Sequence, residues 1–151
     1  MFEYLNTTSQ SGATGSDNSN ARLRGGDNYL NNGVYLNGWS YNQTSIGTPF
    51  INSVSSTRLL FNNNRVETFY FGILGVINNS ISSEIRVSNS RNFGAYTSPF
   101  SKIKNQFSGS ISLNYSPLFL ENIVIKLSVA IDNGELYKDN FGFYLGLKKI
   151  L

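Results

Sequence analysis

From Ile123 to Ile131 every second residue is aliphatic, and Val124, Lys126, Ser128 and Ala130 lie between. The closing segment repeats the scheme, with Phe141, Phe143, Leu145 and Leu147 alternating with Gly142, Tyr144, Gly146 and Lys148. A period of two sends neighbouring side chains to opposite faces of a strand. Both segments are therefore predicted strands with one greasy face and one small, polar or charged face. Asn105–Tyr115 alternates in the same way, with Phe107, Ile111, Leu113 and Tyr115 set against Gln106, Ser108, Ser110, Ser112 and Asn114. An antiparallel sheet of such strands either packs on a core or faces lipid around a wet lumen.

The rest of the chain reads as further strands and polar connections. Phe2 and Tyr4 alternate with Glu3 and Leu5, so the chain begins inside a strand, and the natural protein is expected to continue upstream. Ser9–Asn32 is rich in Gly, Asn and Ser without periodicity, which predicts a loop. Gly33–Pro49 is mixed, and Phe50–Phe61 is a strand candidate closed by a tight connection at Asn62-Asn63-Asn64. Arg65–Ile77 is a long strand, followed by a turn at Asn78-Asn79-Ser80 and a strand at Ser83–Phe93. Thr97-Ser98-Pro99 opens a longer loop, and Pro117 breaks the chain because proline cannot serve an interior ladder. Asn133-Gly134 heads the last connection, a pair that tolerates positive φ in a hairpin.

The expected fold class is all-β: an antiparallel meander of about seven or eight long strands. One segment spans residues 1–151, with a long polar and aromatic loop region at 10–46 and a strand meander at 47–151. Strands of this length approach the ~9–11 residues needed to cross a bilayer and exceed the ~5–6 usual in soluble sheets. Connections that alternate short and long match the turns and loops of an outer-membrane barrel. The meander is accordingly expected to be the C-terminal part of such a barrel. Its earlier strands and signal peptide would lie outside this sequence, since Met1–Leu5 has neither a basic start nor an apolar core. If the last strand runs inward, the Asn62–Asn64 turn is external; either Val34–Tyr41 makes an additional inward pass, or this region folds into the lumen and Phe50–Leu60 is not a full crossing. The alternative is a soluble or fibre-associated β-structured module of an adhesin or tail, whose sheets also show one apolar face.

Composition removes other classes. No run of 18 apolar residues is present, so no transmembrane helix is expected. A net charge of +3 without a basic run gives no case for nucleic acid. The chain has neither Cys nor His, so thiolate metal sites and the Ser–His and Cys–His catalytic pairs cannot be built from it. Asp132, Glu135 and Asp139 gather near one hairpin but lack regular cation-ligand spacing. The expectation is a non-enzymatic chain with no cofactor and no metal.

Several segments together carry a resemblance. Gly25-Gly26-Asp27-Asn28-Tyr29 leads to Asn32-Gly33-Val34-Tyr35, Gly38-Trp39-Ser40-Tyr41 and Ile46-Gly47-Thr48-Pro49-Phe50. Then come Asn64-Arg65-Val66, Ser90-Arg91-Asn92-Phe93-Gly94-Ala95-Tyr96 and Lys104-Asn105-Gln106-Phe107-Ser108, with Asp132-Asn133-Gly134-Glu135-Leu136 and Asp139-Asn140-Phe141-Gly142 at the end. In order and spacing this resembles the C-terminal portion of the capsule assembly Wzi family, in its Bacteroidetes version, across most of residues 24–147. The resemblance implies a monomeric barrel in the bacterial outer membrane that supports capsule or exopolysaccharide assembly by lectin-like binding. Its partners would be outer-membrane lipid and the polysaccharide. Relatives of this kind are far longer, so the chain would supply roughly the last third of the barrel.

Candidate site residues follow from side-chain chemistry. Tyr35, Trp39 and Tyr41 offer aromatic faces for sugar C–H groups, and Asn37 and Asn42 offer amides for hydroxyls; an interfacial aromatic belt is the competing reading. Arg22, Arg24 and Asp27 suit contacts to an acidic polymer, Arg being matched to carboxylates, or else form a solvated loop. Glu84, Arg86, Lys126 and Asp132 fall on polar faces and would line a lumen, steering a polymer or satisfying the interior as a charge ladder.

Overall fold

The computed structural model describes residues 1–9, 34–42, 44–53, 61–96, 98–119 and 122–149. Among them the secondary structure is β without helix, and no helix is long and apolar enough to cross a membrane. The described residues form eight strands: β1 (Phe2–Asn6), β2 (Ser40–Tyr41), β3 (Thr44–Ser45), β4 (Val66–Asn78), β5 (Ile81–Ala95), β6 (Ser98–Tyr115), β7 (Ile123–Gly134) and β8 (Asn140–Lys149). Six form one sheet in the order β1-β4-β5-β6-β7-β8, and β2 and β3 form a separate hairpin. The main sheet is an antiparallel meander and is not closed.

Three sequence expectations change in detail. The described part of the Phe50–Phe61 candidate makes no strand; only Asn52 bridges, to Thr44 on one side and Asn63 on the other. Residues 54–60 of that candidate lie outside the described residues. The turn at Pro49 and the burial of Asn52 divert this segment from an extended run. The long loop expected from Thr97 is a tight connection, because β5 ends at Ala95 and β6 already begins at Ser98. Gly94 makes this possible: at φ +81° its Cα lies so close to the returning chain that a Cβ would meet the Ser98 carbonyl oxygen at 2.7 Å. Pro99, second in β6, sits near the strand start where sheets tolerate it. Finally, Val34–Tyr41 makes no pass through the sheet. β1 runs antiparallel beside β4: Met1 and Gly72 exchange backbone hydrogen bonds, and Thr7 N–H donates to the Val66 carbonyl. The chain between them therefore leaves and returns at one end of the sheet, and no added strand is needed to keep the alternation.

The chain divides into two compact units. The first comprises Met1–Glu3, Phe69–Asn89 and Phe107–Leu151. Here alternation resolves into two faces. β7 and β8 pair so that Ile125, Leu127, Val129 and Ile131 stand opposite Leu147, Leu145, Phe143 and Phe141. The other face pairs Lys126 with Gly146, Ser128 with Tyr144 and Asp132 with Asn140. Cross-strand hydrogen bonds extend that polar face: Ser112 and Ser128 hydroxyls lie 2.8 Å apart, Ser108 donates to Asp132, and Asn114 donates to Ser82. Ile85, Ile111 and Leu113 therefore share the apolar face with the β7 and β8 rows. Phe2 stacks on Phe69 with ring centroids 6.3 Å apart, adding β1 to it.

That apolar face is bare. Phe143 is 65% exposed, Leu147 72% and Ile73 52%. Among the described residues of this unit, Leu136 and Pro117 are the only buried apolar side chains. An ordinary two-layer domain would bury these rows against a second element.

The second unit comprises Tyr4–Thr68 and Ser90–Gln106, and it does have an interior. Phe61, Val66, Ile51 and Ala95 are buried together with Asn52, Asn63, Asn64, Asn92 and Gln106. The amides form a network in which Asn63 Nδ2 donates to Asn92 Oδ1 at 2.9 Å, and Asn92 Nδ2 donates to the Lys104 carbonyl at 3.1 Å. Buried amides are tolerated when paired in this way. Arg65 is held beside them, its guanidinium 4.3 Å from the Tyr96 ring centre and its Nε donating to the Thr8 carbonyl. Glu67 pairs with Arg91 at 2.8 Å and accepts from the Tyr4 hydroxyl.

Candidate functional site

The polar face of the first unit gathers the groups with chemical potential. Glu84 and Arg86 are two residues apart on β5 and so project to the same side. Arg86 donates from Nε at 2.8 Å and from Nη2 at 2.5 Å to Glu84 Oε1. The Arg86 side chain is 57% exposed and the Glu84 side chain 29%. The pair's net worth to stability is small for that reason, and it serves chiefly to hold the guanidinium in place.

Beside Arg86 the face sinks into a depression of ≈ 210 Å³, lined by Tyr70, Arg86, Ser88, Ser108, Ser110 and Asp132 among others. A second depression of ≈ 610 Å³ lies among Asp132, Tyr137, Lys138, Asp139 and Asn140 at the β7–β8 connection. Asp132 borders both. Its Oδ1 accepts from Ser108, which fixes the carboxylate at the junction. The connecting loop is fixed as well, since Gly134 N–H donates to Asp139 Oδ1 at 3.1 Å.

Of the four residues expected on polar faces, Arg86 and Asp132 meet at the smaller depression, and Glu84 joins them through its bond to Arg86. Lys126 shares the face, opposite Gly146, but borders neither depression. Tyr70 and Tyr137 were not singled out in the sequence. For Tyr70 a signal existed: Gly72, two positions on, lies on the same face. The ring lies along the strand over that glycine, where an added Cβ would come within 2.8 Å of Tyr70 Oη. Tyr70 thereby presents its flat side across the sheet surface.

The aromatic cluster occupies the second unit. Backbone pairing of Ser40 with Ser45 and Tyr41 with Thr44 defines the β2–β3 hairpin, and Ile46 N–H donates to the Trp39 carbonyl at 3.0 Å. Trp39 and Tyr41 consequently share one face with Thr44 and Ile46, and both rings are about three-quarters exposed, at 74% and 75%. The opposite face carries Ser45, which is buried. A Tyr35–Gly38 backbone bond folds the approach to the hairpin, and Asn37 accepts at its carbonyl from the Ser40 hydroxyl at 2.7 Å. Tyr35 and Asn37 are exposed next to this turn. Asn42, at φ +48°, takes the left-handed position in the hairpin that Asn adopts readily. Arg22, Arg24 and Asp27 lie outside the described residues.

Among the described residues no group of three or more acidic, His or Cys side chains is arranged to hold a metal ion. What the polar face of the first unit offers is a set of fixed hydrogen-bonding groups, Arg86 and Asp132, beside the Tyr70 ring. Comparison with family models, with curated proteins and with solved structures finds no match. In the first unit Tyr70 lies beside the Arg86 guanidinium, the Asp132 carboxylate and serine hydroxyls; in the second, Tyr35, Trp39 and Tyr41 are exposed near Asn37 and Asn42.

Proposed function

We propose that this chain is a segment of a bacterial outer-membrane β-barrel that supports capsule or exopolysaccharide assembly or attachment at the cell surface, by glycan binding without catalysis. The observation that carries the reading is the bare apolar face of the first unit: aligned aliphatic and aromatic rows stand over a sheet with almost no buried hydrophobic side chain. Exposed apolar surface of this continuity marks an interaction or membrane surface, and a barrel strand alternates apolar outward with polar inward. The lengths of β7 and β8, 12 and 10 residues, suit a bilayer crossing. In a closed barrel the free edges of β1 and β8 pair with further strands, as lipid requires. The glycan part draws on the exposed Trp39–Tyr41 face and on the resemblance to the capsule assembly Wzi family.

Because the chain has no Cys, single cysteines report each face cleanly. Val129→Cys and Leu145→Cys, labelled with an environment-sensitive dye in phospholipid vesicles, are expected to be quenched strongly by lipid-borne nitroxides. Ser128→Cys and Tyr144→Cys are expected to be quenched weakly. Equal quenching on the two faces, or none on either, overturns the membrane assignment. For the glycan part, Trp39→Ala is expected to weaken retention on immobilised exopolysaccharide; unchanged retention removes that platform from the account.

A further inference from the structure

We infer that the two depressions meeting at Asp132 form a continuous track for a neutral oligosaccharide, with Asp132 as the acceptor shared by adjacent sugar rings. The inference deepens the polysaccharide reading and rests on it. Each depression has one Tyr (Tyr70 or Tyr137) and one cation (Arg86 or Lys138), and the single Asp132 carboxylate borders both. A repeated set joined by a common residue fits a ligand that itself repeats.

Size and charge narrow the ligand class. At ≈ 210 Å³ the smaller depression falls below the ~300–1,000 Å³ typical of drug-sized ligands, which favours a single ring over a compact multi-ring molecule. The adjoining ≈ 610 Å³ depression gives the chain room to continue. Around the two, Glu84, Asp132 and Asp139 stand against Arg86 and Lys138, so no excess of positive charge attracts a polyanion. A hydroxyl-rich neutral sugar meets acceptors at Asp132, donors at Arg86 outside its Glu84 pairing, and either from Ser88 and Ser110. The flat Tyr70 ring leaves a low platform for the C–H face of that sugar.

The test is calorimetric titration of the detergent-solubilised full chain with cellotetraose, mannotetraose and galactotetraose, their monosaccharides, and tetragalacturonate. The track predicts that at least one neutral tetrasaccharide binds roughly tenfold or more tightly than its monosaccharide, since linked subsites reinforce one another. Asp132→Asn should weaken it about tenfold, the loss expected for one good contact to a charged group, and Tyr70→Leu should weaken it by removing the ring platform. Lys138→Ala, on the connecting loop, supplies a third variant should either of these unfold by circular dichroism. Neutral binding that survives all three substitutions but is lost in Trp39→Ala overturns the track and leaves the polysaccharide reading in place. Binding of tetragalacturonate alone overturns the neutral class. Absence of binding to every saccharide overturns the track together with the reading beneath it.

Discussion

Leu127 on β7 stands directly opposite Leu145 on β8, and one residue further along Ser128 faces Tyr144. One step of the backbone thus separates a wholly apolar cross-strand pair from a polar one. Directly opposed pairs are the unit of sheet stabilisation, and here they also divide the two environments that the proposed function requires.

Substituting Leu127→Arg should cost roughly 2–4 kcal/mol in a bilayer, the penalty for a cation on the lipid side of a barrel strand near mid-depth. Ser128→Arg should cost much less because its side chain projects to the polar face. Urea titration of both variants refolded into vesicles provides the comparison, and equal losses would count against lipid on the apolar side.

The second unit should respond most sharply at Asn92. Its Oδ1 accepts from Asn63 and its Nδ2 donates to the Lys104 carbonyl, and both Asn side chains are buried. Asn92→Ala strands partners on both sides, with an expected loss of about 1–3 kcal/mol for each buried group left unsatisfied. Denaturant unfolding of the variant measures it.

Gly94→Ala should also be costly, for backbone reasons. At φ +81° an L-residue loses about 1–2 kcal/mol. The new methyl would in addition approach Ser98 O at 2.7 Å and Phe100 N at 2.8 Å, neither of which can swing aside. A lowered melting temperature with retained β circular dichroism is the expected signature.

Gly72→Ala separates stability from binding. The added methyl meets only the far end of the Tyr70 side chain, which can rotate away. Folding should change by under about 1 kcal/mol, a range normal for surface positions. Saccharide affinity should nonetheless fall, because Tyr70 leaves its flat pose in the depression. Paired melting and titration experiments distinguish the two effects.

The alternation of β6, β7 and β8 was legible from side-chain period alone, because a one-residue slip would reverse both faces. The Asn62-Asn63-Asn64 run was not. Read as a tight polar connection, it is among the most deeply buried stretches, with Asn63 and Asn64 at 0% exposure. An amide carries a donor and an acceptor, so it enters an interior wherever a matching amide waits, and a linear reading does not show that Asn92 is the match for Asn63. The polar-face residues Glu84, Arg86 and Asp132 were visible by parity. The convergence of Arg86 and Asp132 on one depression depended on how β5, β6 and β7 align. Tyr70 was obscured by Phe69 and Phe71, which make its neighbourhood aromatic on both parities.

An interior held by paired amides also has a calorimetric consequence. Opening the second unit would hydrate polar groups beside apolar ones, and polar hydration lowers the heat capacity of unfolding whereas apolar hydration raises it. The free energy of that unit should therefore vary gently with temperature, giving a broad, shallow stability curve that resists cold as well as warmth.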